Sequence, residues 1–208
     1  MIDQTTLFTY LAILLGFVFL PGPAVILTLA RATSSGTRVG IATGLGIAVG
    51  DIIHTAMAVV GLSAILLTSA FAFSLVKYLG AAYLVYLGIR AIMEKTDTAS
   101  AAAAPKLTGV RAFRQAVLAE VLNPKSAMFF LAFLPQFVRP ENGAVALQLA
   151  ILGLLFVAMG LLSTVVVALF SGGVGRFLRR NPAVRRWQGK VVGGIYCALG
   201  LRLAFQER

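Results

Sequence analysis

Apolar residues in this chain neither alternate nor follow a single helical stripe. They run on for twenty or more positions with few interruptions. Six such stretches lie near 5–30, 39–68, 71–93, 112–138, 145–171 and 187–206. A helix needs about 20 residues to cross a hydrocarbon core of about 30 Å, so each stretch is long enough to span a membrane. The pattern therefore predicts an all-α integral membrane protein with six transmembrane helices. Ser34-Ser35-Gly36 and Glu141-Asn142-Gly143 punctuate it as tight turns. A longer connection, 94–110, holds Thr98-Ala99-Ser100 and Ala101 to Ala104 ahead of Pro105. Its low complexity marks a linker between two halves, 1–93 and 111–208, within one membrane domain.

Two of the apolar stretches contain helix breakers, Pro21-Gly22-Pro23 and Asn123-Pro124-Lys125. An internal proline costs a helix roughly 3 kcal/mol and frees backbone groups. In hydrocarbon those groups survive only where protein or a water-filled cavity satisfies them. One broken helix per half is the pattern of a transporter whose substrate site lies where the breaks meet. Gly22 gives the first break access to backbone angles closed to other residues. Amide groups after Pro23 would form a positive helix start that attracts a carboxylate. Asn123 is placed to return hydrogen bonds to the carbonyls that Pro124 frees.

The halves also resemble each other. Lys77, Gly80 and Tyr83, followed by Gly88 and Arg90, recur as Lys190, Gly193 and Tyr196, followed by Gly200 and Arg202. Lys, Gly and Tyr hold the same offsets, and the trailing pair slips by one residue. Each half then has a broken first helix, a glycine-bearing second and this third. Three helices is an odd number, so the second half must cross in the opposite sense, as an inverted repeat.

Composition narrows the class. The chain is 59% hydrophobic and 12% charged, with a mean hydropathy of +0.92; a soluble domain is about a quarter charged. Its net charge of +11 would suggest nucleic acid in a soluble protein. Here the basic residues crowd the ends of apolar stretches, where topology and anionic lipid account for them. Arg31 and Arg38 flank the first loop. Arg90, Lys95, Lys106, Arg111 and Arg114 surround the third, and Arg176, Arg179, Arg180, Arg185, Arg186 and Lys190 fill the fifth. The second and fourth have Lys77 and Arg139. Odd-numbered loops are therefore expected in the cytoplasm and both termini outside, with Arg202 and Arg208 pulling weakly the other way. No basic segment precedes the first apolar run, so that run is expected to stay as a helix. One cysteine, Cys197, and one histidine leave no intrachain disulfide and no zinc-type site. No enzyme motif is present, and nothing calls for a cofactor.

Three ionisable residues stand out as proton carriers. Asp51 falls near the middle of the second stretch, where a carboxylate costs about 2.5–3.5 kcal/mol on insertion scales and so should face the bundle interior. His54, three residues on, shares its helix face and could share a proton or hydrogen bond with it, or could simply join helices. Glu120 sits one turn before Asn123. It reads either as a site carboxylate or as an interfacial residue near Arg111 and Arg114. Lys125 could snorkel, pair with Glu120 or hold an anionic substrate group. Gly40, Gly44, Gly46 and Gly50 predict close helix packing on adjoining faces, and Phe129, Phe130 and Phe133 read as core or lipid-facing.

Read in order, several motifs resemble one family. They are Pro21-Gly22-Pro23, Arg31, Gly44 and Gly46, Lys77-Tyr78-Leu79-Gly80, Tyr83-Leu84 and Tyr86-Leu87-Gly88. Leu122-Asn123-Pro124-Lys125, Phe129-Phe130 and Leu134-Pro135-Gln136-Phe137 follow. Together they are similar to the LysE/RhtB family of bacterial amino-acid exporters. The resemblance implies a six-helix inner-membrane carrier that exports amino acids or close relatives by proton antiport, often as a homodimer. Pro21, Gly22, Pro23, Asn123, Pro124 and Lys125 would shape its substrate site, with Asp51, His54 and Glu120 as coupling groups. A related branch handles cadmium, which suits one Cys and one His poorly. Glu120 departs from the pattern, standing where a neutral residue such as Asn is often expected. The alternatives are an intramembrane enzyme acting on a lipid head group, which would need polar groups converging at one interface, and an exporter of another solute such as a metal ion.

Overall fold

The computed structural model describes residues 2–19, 22–62, 70–93, 106–173 and 182–205. Pro21, most of the 94–110 connection and the basic run 174–181 lie outside them. The described residues form helices and no strand. Helix α1 (Gln4–Phe19) and helix α2 (Pro23–Ser35) meet at the first break with a bend of 48°. Helix α3 (Thr37–Met57) runs on through a π turn to Leu62, and α4 spans Ala70–Met93. At the second break, α5 (Gly109–Val121) meets α6 (Pro124–Met128), and the chain continues helically to Phe137 through a π turn and a 3-10 turn. The bend there is 43°. Helices α7 (Val145–Leu169) and α8 (Pro182–Phe205) complete the order.

Local chemistry sets these ends. Gly36 separates α2 from α3 at φ 95°, a left-handed conformation open to glycine, and its N–H returns to the Ala32 carbonyl. Gly143, at φ 121°, does the same kind of work ahead of α7. Thr108 caps α5 by accepting from the Arg111 N–H. Asn123 caps α6 by accepting from the Lys125 N–H, with Pro124 at the first helical position where its missing N–H costs nothing.

The 26-residue helix Thr37–Leu62 and the 25-residue helix Val145–Leu169 are long and apolar enough to cross a membrane, and each bent pair is too when taken as one span. Helices α4 and α8, 24 residues each, would extend about 36 Å at 1.5 Å per residue. Large apolar side chains such as Phe71, Leu79, Leu154 and Phe170 point outward. In water such a surface would aggregate; in lipid it is solvated. This is an all-helical membrane protein.

Helix α3 is the centre of the packing. Its Gly40 and Gly44 face Ala168 and Thr164 of α7, and a Cβ on Gly44 would stand 2.7 Å from Thr164 Oγ1. Gly46 and Gly50 face Phe113, Ala116 and Glu120 of α5, and a Cβ on Gly50 would come within 2.6 Å of Glu120 Cβ. The expected close packing on two adjoining faces is therefore present. Rising residue numbers match falling ones between α3 and α7 and rising ones between α3 and α5, so α3 runs antiparallel to the first and parallel to the second. Helix α8 lies antiparallel on α4: Gly88 meets Gly193 and Cys197, while Gly200 meets Ala81 and Val85. Without a hydrophobic drive between helices in lipid, such glycine contacts are what let backbones approach and gain dispersion energy.

Beyond α3 an aromatic cluster fills the core. The Phe129 ring lies 4.6 Å, centroid to centroid, from both Phe17 and Phe156, and Phe130 lies 4.9 Å from Phe156. Phe129, Phe130 and Phe133 are all buried, so the core reading holds and the lipid-facing one does not. Tyr10 joins the cluster and donates its hydroxyl to the Leu152 carbonyl at 2.7 Å.

Candidate functional site

A break in a membrane helix must have its carbonyls satisfied, and the first break recruits side chains from the other half of the chain. Lys125 Nζ donates to the Phe17 carbonyl at 3.2 Å and lies 4.2 Å from the centre of the Phe17 ring. Ser163 Oγ, from α7, donates to the Val18 carbonyl at 3.0 Å. A cation at the carboxyl end of α1 also meets the negative end of its dipole. Gly22 makes this possible for a different reason from the one expected. Its φ of −109° is open to any residue; a Cβ there would lie 2.8 Å from Lys125 Nζ and would displace the ammonium from its present position.

The second break is built around Glu120. Asn123 Nδ2 donates to Glu120 Oε1 at 3.0 Å and to Oε2 at 3.2 Å, and the Ser126 hydroxyl donates to Oε1 in a short bond. Asn123 Oδ1 caps the Lys125 N–H at 3.0 Å. The expectation that the Asn123 side chain serves freed carbonyls is thus corrected: it caps the next helix and holds a carboxylate. The Glu120 carbonyl, four residues before Pro124, is met by the Asn123 backbone N–H at 2.9 Å and by His54 Nε2 at 3.0 Å. His54 stacks on Phe130 and is bonded to α5, so its partner is the break and not Asp51. Glu120 is 3% exposed, which rules out the interfacial reading. Lys125, at 9%, does not snorkel.

Asp51 is 1% exposed, and its Oδ1 has no hydrogen-bond partner among the described residues. Glu120, from α5, lines the same cavity. A buried carboxyl oxygen left unpaired is rare in proteins and points to a proton or a ligand. Both breaks and both acids border one cavity of about 40 Å³, whose walls include Phe17, Gly22, Val25, Asn123, Ser126, Phe156 and Thr164 beside Asp51, Glu120 and Lys125. The amino end of α2 opens on it through Gly22, Ala24 and Val25, and no side chain caps that end. The cavity has room for about three water-sized groups at roughly 10–15 Å³ each.

Of the residues singled out in the sequence, Gly22, Asp51, Glu120, Asn123 and Lys125 all reach this cavity. Pro23 and Pro124 open the helices beside it, His54 stands behind Glu120, and Pro21 lies outside the described residues. Sequence reasoning passed over Ser126 and Ser163, each a hydroxyl inside an apolar run, and the wall residues Phe17, Phe156 and Thr164. Among the described residues no group of three or more His, Cys, Asp or Glu is placed to hold a metal ion.

The comparisons with known proteins fit this picture. The chain is 29% identical over 195 residues to an uncharacterized membrane protein of Vibrio cholerae serotype O1, covering 94% of each. It is 28% identical over 206 residues to an uncharacterized membrane protein, YrhP, of Bacillus subtilis, covering 95% of this chain and 97% of that one. A third such protein, of Pseudomonas aeruginosa, is 27% identical over 205 residues. No solved structure matches. The family described as LysE type translocator matches residues 15–207, nearly the whole chain. The chain belongs to the LysE type translocator family.

Proposed function

We propose that this translocator exports amino acids or close derivatives across the bacterial inner membrane in exchange for protons. The observation that carries the reading is the enclosure of two carboxyls and one ammonium where both helix breaks meet. An amino acid presents an ammonium and a carboxylate. Its ammonium suits the pair Asp51 and Glu120, and its carboxylate suits the uncapped amino end of α2. The unpaired Asp51 Oδ1 suits a group that gives up and regains a proton. With about 40 Å³ of free space, the cavity walls would move apart to seat an amino acid.

The reading takes the chain as six spans in two inverted three-helix repeats, rocking against each other around the cavity. The α4–α8 contact supports it. Exchanging the repeats maps Gly88 against Gly193 nearly onto Gly200 against Ala81, as a two-fold relation between equivalent helices requires. The parallel α3–α5 and antiparallel α3–α7 pairings are the directions that six alternating spans would have. On this layout odd-numbered loops face the cytoplasm, both termini lie outside, and the carrier works alone or as a homodimer in the bilayer.

Purified protein in lipid vesicles tests the proposal with a panel of labelled amino acids. Expected is concentrative uptake driven by an imposed pH gradient and collapsed by a protonophore. If no amino acid moves, or if flux ignores the gradient, the proposal falls; conversion of a lipid would replace it with the enzymatic alternative.

A further inference from the structure

We infer that the cavity selects amino acids with an uncharged, aliphatic side chain, and that Gly160 limits how large that side chain can be. The inference rests on the amino-acid reading and adds a substrate class and a residue to it.

Helix α7 presents Phe156, Gly160 and Thr164 to the cavity, each four residues from the next and so on one face of the helix. Gly160 is the gap in that row. A Cβ added there would have Asp51 Oδ2, at 3.5 Å, as its one neighbour from another helix within 4 Å among the described residues. The glycines of α3 differ. A Cβ on Gly44 would stand 2.7 Å from Thr164 Oγ1, and one on Gly50 2.6 Å from Glu120 Cβ. Those glycines serve helix packing. Gly160 instead leaves room beside the carboxyl whose Oδ1 has no partner. An ammonium bonded to Asp51 would sit about 2.8 Å from its oxygen, so the carbons next to that ammonium fall within reach of the room that Gly160 leaves.

The other polar groups of the cavity are engaged. Glu120 receives the Asn123 amide and the Ser126 hydroxyl. Lys125 Nζ donates to the Phe17 carbonyl. Thr164 Oγ1 turns back to the Gly160 and Leu161 carbonyls, at 3.0 Å from each. Phe17, Val25, Ile47 and Phe156 give the wall an apolar surface. One unpaired carboxyl oxygen answers one ammonium, and the amino end of α2 answers one carboxylate. Among the described residues, no unengaged side chain of the wall answers a further charge. A lysine or glutamate side chain would enter as an ion without a partner, at a heavy cost in so apolar a place. An aliphatic side chain gains from the same wall by leaving water.

Exchange in vesicles tests the inference without a pH gradient. Purified protein is reconstituted, and initial entry of labelled alanine, valine, leucine, lysine and glutamate is measured, each against the same unlabelled amino acid inside. Wild-type protein is expected to exchange alanine, valine and leucine at least about tenfold faster than lysine and glutamate. Entry of lysine or glutamate at the rate of leucine overturns the class and leaves the amino-acid reading intact. Entry of none of the five overturns both. Gly160→Ala is expected to lower the ratio of leucine to alanine exchange by about tenfold or more, the discrimination that a methylene-sized change in an apolar pocket gives. An unchanged ratio removes Gly160 from selection. If Gly160→Ala exchanges nothing, binding decides, read as the rise in thermal midpoint that each amino acid gives the purified variant in detergent. Stabilisation by alanine and not by leucine supports the size limit at Gly160, and stabilisation by both or by neither refutes it.

Discussion

Asp51 and Glu120 are both buried acids, yet their surroundings give them different tasks. Glu120 is held by Asn123 and Ser126, and its backbone carbonyl by His54. Asp51 keeps an unpaired oxygen facing the same cavity. On the proposed antiport reading Asp51 is the acid that changes state, and Glu120 the one that frames the site. Asp51→Asn is expected to abolish proton-driven efflux while membrane insertion and folding are retained. Flux in vesicles, beside a size-exclusion profile of the purified variant, checks both halves; wild-type export by the variant would remove Asp51 from coupling. Asp51 was legible in the sequence because an acid amid apolar residues has no ordinary structural excuse. Glu120 was ambiguous because Arg111 and Arg114, near in sequence, suggested an interface, and only the fold turns Glu120 onto α3. Ser126 and Ser163 escaped notice because a hydroxyl in a membrane helix commonly bonds back to its own turn, as Thr28 and Thr55 do.

At the scale of elements, the two breaks were readable from proline alone, and both appear as bends of more than 40°. What held them open was not readable, since the partners lie far away in sequence: Lys125 serves a carbonyl 108 positions back and Ser163 one 145 back. The π turn after α6 also left no local mark, because its run of phenylalanines is as compatible with an ordinary helix. Glycine spacing on α3 did forecast close contacts, though not which helices make them. Gly50→Ala is expected to force α3 from α5, since its Cβ would lie 2.6 Å from Glu120 Cβ. Overpacking of this kind costs about 1–3 kcal/mol, or a few degrees in thermal midpoint for a chain of this size. Gly16→Ala is the control, having no neighbour within 4 Å of the added carbon. Thermal unfolding in detergent compares the two, and equal midpoints would show that the α3–α5 contact tolerates a methyl group.

For the whole molecule, fold class followed from hydropathy, and the LysE type family from motifs that the comparison over residues 15–207 bears out. The arrangement of helices around one cavity was beyond the sequence, because a repeat says that two halves are alike without saying how they interlock. The interlock has a consequence for how the protein is made. Phe17 and Val18 leave the ribosome long before Lys125 and Ser163, so their carbonyls enter the bilayer with those bonds unmade. Each such group costs several kcal/mol in hydrocarbon. The newborn first half is therefore a provisional structure that matures when the second half arrives. Residues 1–93 expressed alone are expected to be degraded quickly and to be rescued by a co-expressed 106–208 fragment, as pulse-chase labelling would show; a long-lived 1–93 fragment would mean that the early helices complete themselves without their later companions.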